Sequence, residues 1–541
     1  MVASRGGDPS SGTLAIMVHD VTAVNEAVLR DLTVLDTEHL LASQGDDRHL
    51  VLASGANRYF NRYRPEPDLL RFGSCTSSTL SRAAFASAER LHGWLRSVPR
   101  ASTAHAIDDL FERVRTQLIG NLAPYRVATT DVVVTPSGSD AEFIPLLVGL
   151  AGGRRVTNIV VGAAEAGSGS IHAAGGLHFD HATPFGVPVQ QFGPVNEQLS
   201  SRVDVVRVDV RDCAGDPRPV SDIDAEVTAI AEGRVAGGED VLLHLIAHSK
   251  TGLHAPSIET VARLTGAHPG RVLAVIDGAQ GRFSRRGLEE SLARGWMTIV
   301  TGSKFFGGPP FAGAVLVPHT LWADRDRPAL PDEYGDYLGR SMLPRTWTRA
   351  RAAAPDIANV GLLLRWWSAL TEIREYYSVP APLRFEVLQT FQALVPTILA
   401  RIPEFDADPV DPPVDPAGAV RLLESNTTVF PFTCRVGGAM LDDTALRTAR
   451  ERLRLGTGGG LRAEIGQPVV LGAEGEGRTV LRVALGAPNN TDVCTADAEG
   501  STFFDRMSRL ETDVDQVLHA LAEQVRAVGA DAASASGMLT R

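Results

Sequence analysis

The sequence predicts an α/β protein with a large domain, built on a mostly parallel seven-stranded-type sheet flanked by helices, and a smaller α/β C-terminal domain. Between residues 100 and 375, short apolar runs alternate with helical patterns, which is typical of a parallel sheet with crossover helices. The run 272–276 is unbroken and aliphatic, as expected for a strand buried on both faces. It ends in an acid, Asp277, and ligands of open α/β sheets bind at the carboxyl ends of strands.

Each element follows from a local pattern. The strands predicted in the large domain are 132–134, 157–161, 203–207, 241–246, 272–276, 298–301 and 313–317. In the small domain we predict strands near 427–435 and 480–485, helices at 443–453 and 511–527, and a proline-rich loop at 406–416. The resulting organisation is a tail (1–12), an N-terminal helical segment packing on the small domain (13–99), the large domain (100–375), the small domain (376–530) and a second tail (531–541).

Composition narrows the class of protein. The net charge is −12, so we expect neither nucleic acid nor a membrane surface as a partner. The expected partner is a small molecule. No apolar run approaches the length of a membrane span, and no secretory signal is apparent at the start of the sequence. The four cysteines form no C-x-x-C pair, so we expect no metal site, and a reducing cytoplasm is the expected location.

Lysine is scarce in this chain. Its only two lysines are Lys250 and Lys304, and arginine carries nearly all the remaining positive charge. A primary amine can lose its proton and attack a carbonyl, which a guanidinium cannot do. Lys304 follows an apolar run and stands in a Gly-Ser-Lys turn, so we interpret it as a candidate nucleophile.

A third motif lies upstream, where a predicted strand runs into Ser137, Gly138, Ser139 and then an acidic helix start. Small residues and hydroxyls before a helix are typical of a phosphate cup, because they present backbone N–H groups and hydroxyl donors to an anion. The sequence lacks the lysine of a Walker loop and the glycine spacing of a dinucleotide fingerprint. Alone, the motif also fits an ordinary helix cap.

Taken in order, the phosphate cup, Asp277-Gly278-Ala279-Gln280 and Ser303-Lys304 resemble the motifs of fold-type I pyridoxal-phosphate (PLP) enzymes. Within them, the chain is most similar to the class V aminotransferase and cysteine desulfurase branch, over about residues 100 to 525. The resemblance implies the cofactor pyridoxal 5'-phosphate and a homodimer whose active sites form between subunits.

The same resemblance implies roles for individual residues. Lys304 would hold PLP as a Schiff base and move the proton at the substrate α-carbon, and Asp277 would pair with the pyridinium nitrogen. Gln280 would bond the phenolic oxygen of the ring. Phosphate would be bound by Ser137, Gly138, Ser139 and Ser303. Arg482 would bind the α-carboxylate of the substrate. The resemblance assigns no role to Lys250: from its position beside the cofactor loop it is a candidate ligand of the substrate or of the phosphate, or else an ordinary solvated loop lysine.

The sequence also departs from the family pattern. Ser249 stands where relatives have an asparagine in the cofactor loop, and no aromatic residue stands at the usual ring-stacking position. His172 would supply that ring if the loop takes another path, and otherwise Ala166 covers the ring face or the face stays open. Ala354 replaces a threonine that relatives contribute to the neighbouring subunit's phosphate, so an arginine such as Arg349 becomes a candidate.

The predicted activity is that of an aminotransferase acting on an amino acid or related amine, and a PLP-dependent lyase or decarboxylase is the nearest alternative. Cysteine desulfurase is disfavoured, because the stretch 465–472 lacks the mobile cysteine that this reaction needs. Two other classes remain open: a non-catalytic binding protein on the same scaffold, and a nucleotide-binding enzyme that uses the glycine-rich loop 456–460.

Overall fold

The computed structural model describes residues 21–323, 326–408, 428–457, 460–473 and 476–539. The predicted tail 1–12, residues 13–20 of the predicted helical segment and most of the predicted proline-rich loop lie outside these residues. The strands are β1 (Leu70–Phe72), β2 (Thr130–Thr135), β3 (Val156–Val161), β4 (Val203–Val208), β5 (Asp240–Ala247), β6 (His254–Ala255), β7 (Val272–Gly278), β8 (Met297–Thr301), β9 (Gly313–Pro318), β10 (Phe405–Ala407), β11 (Val429–Val436), β12 (Ala439–Met440), β13 (Ala463–Leu471) and β14 (Arg478–Ala484).

The α-helices alternate with these strands in the large domain and flank the sheet of the small one. They are α1 (Val21–Val34), α2 (Thr37–Leu41), α3 (Arg82–Ser97), α4 (Thr103–Leu122), α5 (Phe143–Leu150), α6 (Ser170–Ala174), α7 (Glu197–Ser200), α8 (Val220–Ala236), α9 (Ile258–Ala267), α10 (Arg285–Ala293), α11 (Thr348–Ala353), α12 (Val360–Ser378), α13 (Ala381–Leu399), α14 (Asp443–Leu455), α15 (Ala487–Cys494) and α16 (Phe503–Leu539).

The large sheet has the order β2-β9-β8-β7-β5-β3-β4, with the short β6 paired to β5. All neighbouring pairs on this path are parallel except the two that involve β9. Every residue of β5 and of β9 is buried, as expected for strands covered on both faces. The predicted α/β class and mostly parallel sheet are therefore confirmed, and each of the seven predicted strands is present.

The small domain is a second sheet of order β1-β13-β14-β11-β10, with β12 paired to β11. Residues of α13, α14 and α16 pack on this sheet in a core of their own. The predicted strands and helices are present, but β1, β10 and β13 had not been predicted. Pro468 and a register shift between Gly466 and Val469 interrupt the pattern of β13, because proline cannot donate to a ladder and a bulge breaks the alternation.

The segment 13–99, expected on the small domain, divides between the two domains. Apolar residues of α1, α2 and α3 belong to the core of the large domain, and only β1 joins the small sheet, parallel to β13. At the other end, the expected tail from residue 531 continues α16 as far as Leu539. Within the described ranges, no helix is both long and apolar enough to cross a membrane.

Candidate active site

The carboxyl ends of the parallel strands open into a cavity of about 580 Å³ between the two domains. Asp277 enters it from the end of β7, and Ser303 and Lys304 enter it from the turn after β8. Lys250 follows β5, and Arg482 projects from β14 of the small domain. The structure therefore gathers these predicted residues at one place, as expected for strand ends in an open sheet.

Lys304 is placed for amine chemistry. Burial lowers the pKa of its ammonium group, and the Asp277 carboxylate opposes this effect only in part. The Asp277 carboxylate accepts a hydrogen bond from the backbone N–H of Ala279 at 3.0 Å, which orients it at the strand end. A lowered lysine pKa increases the fraction of nucleophilic free amine at neutral pH.

The two lysines of the chain line the same cavity. Lys250 Nζ lies 3.4 Å from the carbonyl oxygen of Ala164. Burial, followed by the charges of Arg482 and Lys304, lowers the pKa of Lys250 to about 8. Lys250 is thus part of the cavity wall and not an ordinary solvated loop lysine, two alternatives that the sequence alone could not distinguish.

Arg482 is buried, with 2% of its surface exposed, and its hydrogen bonds go to uncharged acceptors. Its guanidinium donates to the carbonyl of Gln467 at 2.8 Å, to that of Lys250 at 3.0 Å and to Thr76 Oγ1 at 3.0 Å. It forms no ion pair with any residue that the structure describes. A buried, oriented and uncompensated guanidinium is suited to bind a carboxylate ligand.

A cluster that we call the hydroxyl cradle lies where β2 and β3 end. It consists of Gly138, Ser139, Gly167, Ser168 and Ser170. A Cβ atom at Gly167 would lie 2.8 Å from Ser170 Oγ and 3.2 Å from Ser139 Oγ, so glycine keeps the space between the two hydroxyls open. Small residues that surround an open space with donors can accept a phosphate-sized anion.

Ser137 lies behind the cradle, where it bonds to Ser139 and Asp140, and is not part of the cavity wall. Its Oγ donates to Asp140 Oδ2 at 2.5 Å and accepts from the backbone N–H groups of Ser139 at 3.1 Å and Asp140 at 3.2 Å. Ser137 therefore orders the turn before the helix through its own side chain.

Sequence reasoning missed Arg48. Its guanidinium lines the cavity, lies 3.0 Å from Ser137 Oγ and stacks 4.4 Å from the ring centroid of Phe311. Asp46 pairs with it at 2.5 and 2.8 Å. No motif surrounds this residue in the sequence, and only its place in the fold reveals it. Arg349, the arginine proposed from sequence, is exposed and lies 4.0 Å from Asp326.

Three further predicted cofactor ligands lie outside the cavity wall. Gln280 donates to the carbonyl of Cys75 at 3.2 Å and accepts from Arg282 at 2.9 Å. Ser249 Oγ donates to the buried Glu165 carboxylate. His172 packs on Phe192 with ring centroids 4.2 Å apart, so the loop does not carry its ring to the cavity.

A second buried carboxyl group lies behind Asp277. Burial, and then the charge of Asp277, raises the pKa of Glu142 well above its ordinary value. His244 Nδ1 lies 3.7 Å from Glu142 Oε2, and burial lowers the pKa of this histidine to about 4. Burial therefore disfavours the ionised form of both groups, and at Glu142 the neighbouring charge of Asp277 adds to this effect.

Three further observations bear on the alternatives. Cys75 lines the cavity, but it is buried, and a Cβ at Gly466 would lie 2.5 Å from its sulfur, so the thiol is tightly enclosed. Gly456 ends α14 in the left-handed conformation, which is the geometry of a helix C-cap. Among the described residues, no three His, Cys, Asp or Glu side chains form a cluster that could hold a metal ion.

No protein-family model and no curated protein matches this chain. Solved structures do share its fold. The complex of the cystine C-S lyase C-DES with its product cysteine persulfide superposes with a TM-score of 0.51 at 13% identity, over 83% of this chain and 98% of that one. Aspartate aminotransferase from Thermus thermophilus (TM-score 0.45, 15% identity, 84% and 99% coverage) and the cysteine desulfurase CsdA from Escherichia coli (0.47, 14%, 84% and 94%) also match. The match to C-DES confirms the fold expected from the motifs, that of fold-type I enzymes.

Proposed function

We propose that this chain, which has the fold of fold-type I PLP enzymes, is itself a PLP-dependent enzyme that acts on an amino acid or related amine through Lys304. The observation that carries the proposal is the meeting of Lys304, Asp277 and the hydroxyl cradle in one cavity. A lysine, a carboxylate and an anion cradle have no evident joint purpose without a ligand that carries a carbonyl, a basic nitrogen and a phosphate.

The residues present fit PLP. The open space at Gly167 between two serine hydroxyls suits the phosphate, and the guanidinium of Arg48, which is paired with Asp46, also contacts Ser137 at the start of the cradle. A structure of the cystine lyase C-DES contains glycine linked to a PLP cofactor, which supports the same cofactor here. Gln280, Ser249 and His172 stay behind the cavity wall, so we propose for them a supporting role.

When bound, PLP supplies an electron sink for the pair released at the substrate α-carbon. Asp277 holds a proton at the pyridine nitrogen, because an ion pair favours the protonated ring. The Lys304 amine, with its lowered pKa, takes and returns the proton at the α-carbon. Arg482 orients the substrate by its α-carboxylate.

Transamination is the reaction that we propose first. It keeps the α-carboxylate, and the guanidinium charge of Arg482, which has no carboxylate partner among the described residues, supports reactions in which that group is held rather than lost. A PLP-dependent lyase that eliminates a side-chain substituent keeps the carboxylate too and is the second candidate. Desulfurase activity stays disfavoured, because the thiol in the cavity, Cys75, is enclosed and lies outside the loop where relatives carry a mobile one.

The spectrum of purified protein with added PLP, before and after borohydride, tests the proposal. With only two lysines in the chain, reduction must fix PLP at Lys304 or at Lys250, and peptide mass distinguishes the sites. We expect an absorbance band that borohydride bleaches, an adduct on Lys304, and loss of both in Lys304→Ala. Lys250→Ala is the matched control and should keep the adduct. A colourless protein, or an adduct on Lys250, would contradict the proposal.

The reaction type is tested by product balance. An aminotransferase converts one equivalent of amino acid to its oxo-acid and then stops until an oxo-acid acceptor is added. A lyase releases ammonia and turns over without an acceptor. Ammonia measured during turnover of an amino-acid panel therefore separates the two candidates.

We also propose that the chain works as a homodimer. The residues Leu50, Val51 and Leu52 are 58%, 41% and 51% exposed and directly follow the segment that carries Arg48 into the cavity. An exposed apolar run beside a site supports a subunit contact there. Light scattering should give the dimer mass, and Leu50→Ser with Leu52→Ser should shift it toward the monomer.

A further inference from the structure

We propose that the substrate of this site is an acidic amino acid, whose α-carboxylate binds Arg482 and whose side-chain carboxylate binds the ammonium group of Lys250. The inference rests on the proposed PLP-dependent function and adds the class of substrate. It starts from the charges of the cavity wall.

The side chains that line the cavity are strongly biased toward positive charge. The bases are Arg48, Arg58, Lys250, Lys304, Arg447 and Arg482, whereas Asp277 is the one acid among the described lining residues. Two of these cations have carboxylate partners of their own. Asp46 neutralises Arg48 at 2.5 Å, and Asp443 neutralises Arg447 at 2.6 Å.

Lys250 and Arg482 form no ion pair with a described residue. The guanidinium of Arg482 donates to the backbone carbonyl of Lys250 at 3.0 Å, so the two residues are joined at the wall. Two neighbouring cations in a buried wall repel each other and lose hydration. An anionic ligand relieves both costs, and two adjacent cations suit a ligand with two negative groups.

The cofactor phosphate has its own place. The hydroxyl cradle with Arg48 lies at the ends of β2 and β3, whereas Lys250 follows β5 and is held beside β14 by Arg482. The α-carboxylate of an amino acid occupies one cation. The second cation is therefore available to the side chain of the substrate, because its direct contact is with a neutral oxygen, Ala164 O at 3.4 Å, and not with a carboxylate.

The rim of the cavity is positively charged as well. Arg58 is exposed there, and its guanidinium lies 5.4 Å from the ring centroid of Tyr59. The protein as a whole carries a net charge of −12. A cationic opening on an acidic protein attracts small anions to this place in preference to the rest of the surface.

The test compares acids with their neutral isosteres on the PLP-loaded protein. We expect kcat/KM to favour aspartate or glutamate over asparagine or glutamine by roughly 10- to 100-fold, as for a charge-assisted hydrogen bond. Lys250→Met should lower kcat/KM for the acid by a similar factor and leave the amide nearly unchanged. The matched control is Arg401→Met, which removes an exposed cation that does not line the cavity and lies 3.8 Å from Asp515, and should change neither.

Each other outcome overturns the inference. Equal rates for acids and amides in the wild type would exclude a side-chain anion site. Equal loss for both in Lys250→Met, or loss of bound PLP in that variant, would assign Lys250 to general catalysis or to the phosphate. A protein that binds no PLP refutes the proposed function itself, whereas a PLP-loaded protein without acidic preference refutes this inference alone.

Discussion

Arg48 Nη2 lies 3.0 Å from Ser137 Oγ, so a guanidinium of the N-terminal segment braces the turn that begins the hydroxyl cradle. The same guanidinium pairs with Asp46, and both side chains are buried. The N-terminal segment is therefore part of the candidate active site.

Replacement of Arg48 by methionine should weaken PLP binding by roughly 10-fold or more, because a charge-assisted contact is lost. It should also lower stability by about 3–5 kcal/mol, since Asp46 is left buried and unpaired. Fluorescence titration with PLP and thermal unfolding measure the two effects.

The double variant Arg48→Met, Asp46→Asn separates the effect on PLP binding from the effect on stability. Asparagine removes the unpaired charge, so we expect most of the melting temperature to return while PLP affinity stays low. Recovery of both together would mean that Arg48 acts on the cofactor only through folding.

Substitution of Gly167 by alanine should impair PLP binding without unfolding the protein. The new methyl group would lie 2.8 Å from Ser170 Oγ, inside the space proposed for phosphate. We expect roughly 10-fold weaker PLP binding by titration. Gly93→Ala, in α3, where a Cβ meets nothing within 4 Å, is the matched control and should leave PLP affinity unchanged.

Replacement of the carboxyl group by an amide should affect turnover much more at Asp277 than at Glu142. Asp277→Asn removes the charge proposed to hold the ring proton, so turnover should fall about 100-fold or more. Glu142→Gln should have a much smaller effect, because burial and the charge of Asp277 raise the pKa of Glu142 and so disfavour its ionised form. Turnover rates and PLP spectra of the two variants check this, and an equal loss in both would mean that Glu142 is ionised.

The pH dependence of the proposed reaction should report Lys250. Its pKa of about 8 reflects burial and the charges of Arg482 and Lys304, opposed by Glu165 and Asp277. Below this pH the amine is charged and binds an anion, and above it the charge is lost. We therefore expect kcat/KM for an acidic substrate to decline as pH rises through about 8, and the decline to vanish in Lys250→Arg, which stays charged. An unchanged profile in that variant would assign the titration to another group.

Much of the site could be predicted because it is encoded locally. Asp277 ends an aliphatic run and Lys304 follows the next one, so the strand pattern alone brings both to the same edge of a parallel sheet. The positions of Gly138 and Ser139 follow from the same rule. Strand β13, which supplies Gln467 to the wall, was missed because its bulge and Pro468 erase the alternation that marks a strand.

The sequence by itself determined the α/β fold, its seven principal strands and the lysine, carboxylate and serine turns at their ends, since hydrophobic periodicity is a property of neighbouring residues. Only the tertiary structure decided that Arg48 reaches Ser137, that His172 turns to Phe192 and that Lys250 shares a wall with Arg482. These contacts join loops and segments that are distant in the chain, and their side chains find partners by packing and charge, for which no sequence period exists. The lowered pKa of Lys250 was likewise decided only by the tertiary structure, because burial and neighbouring charges arise only once the chain has folded.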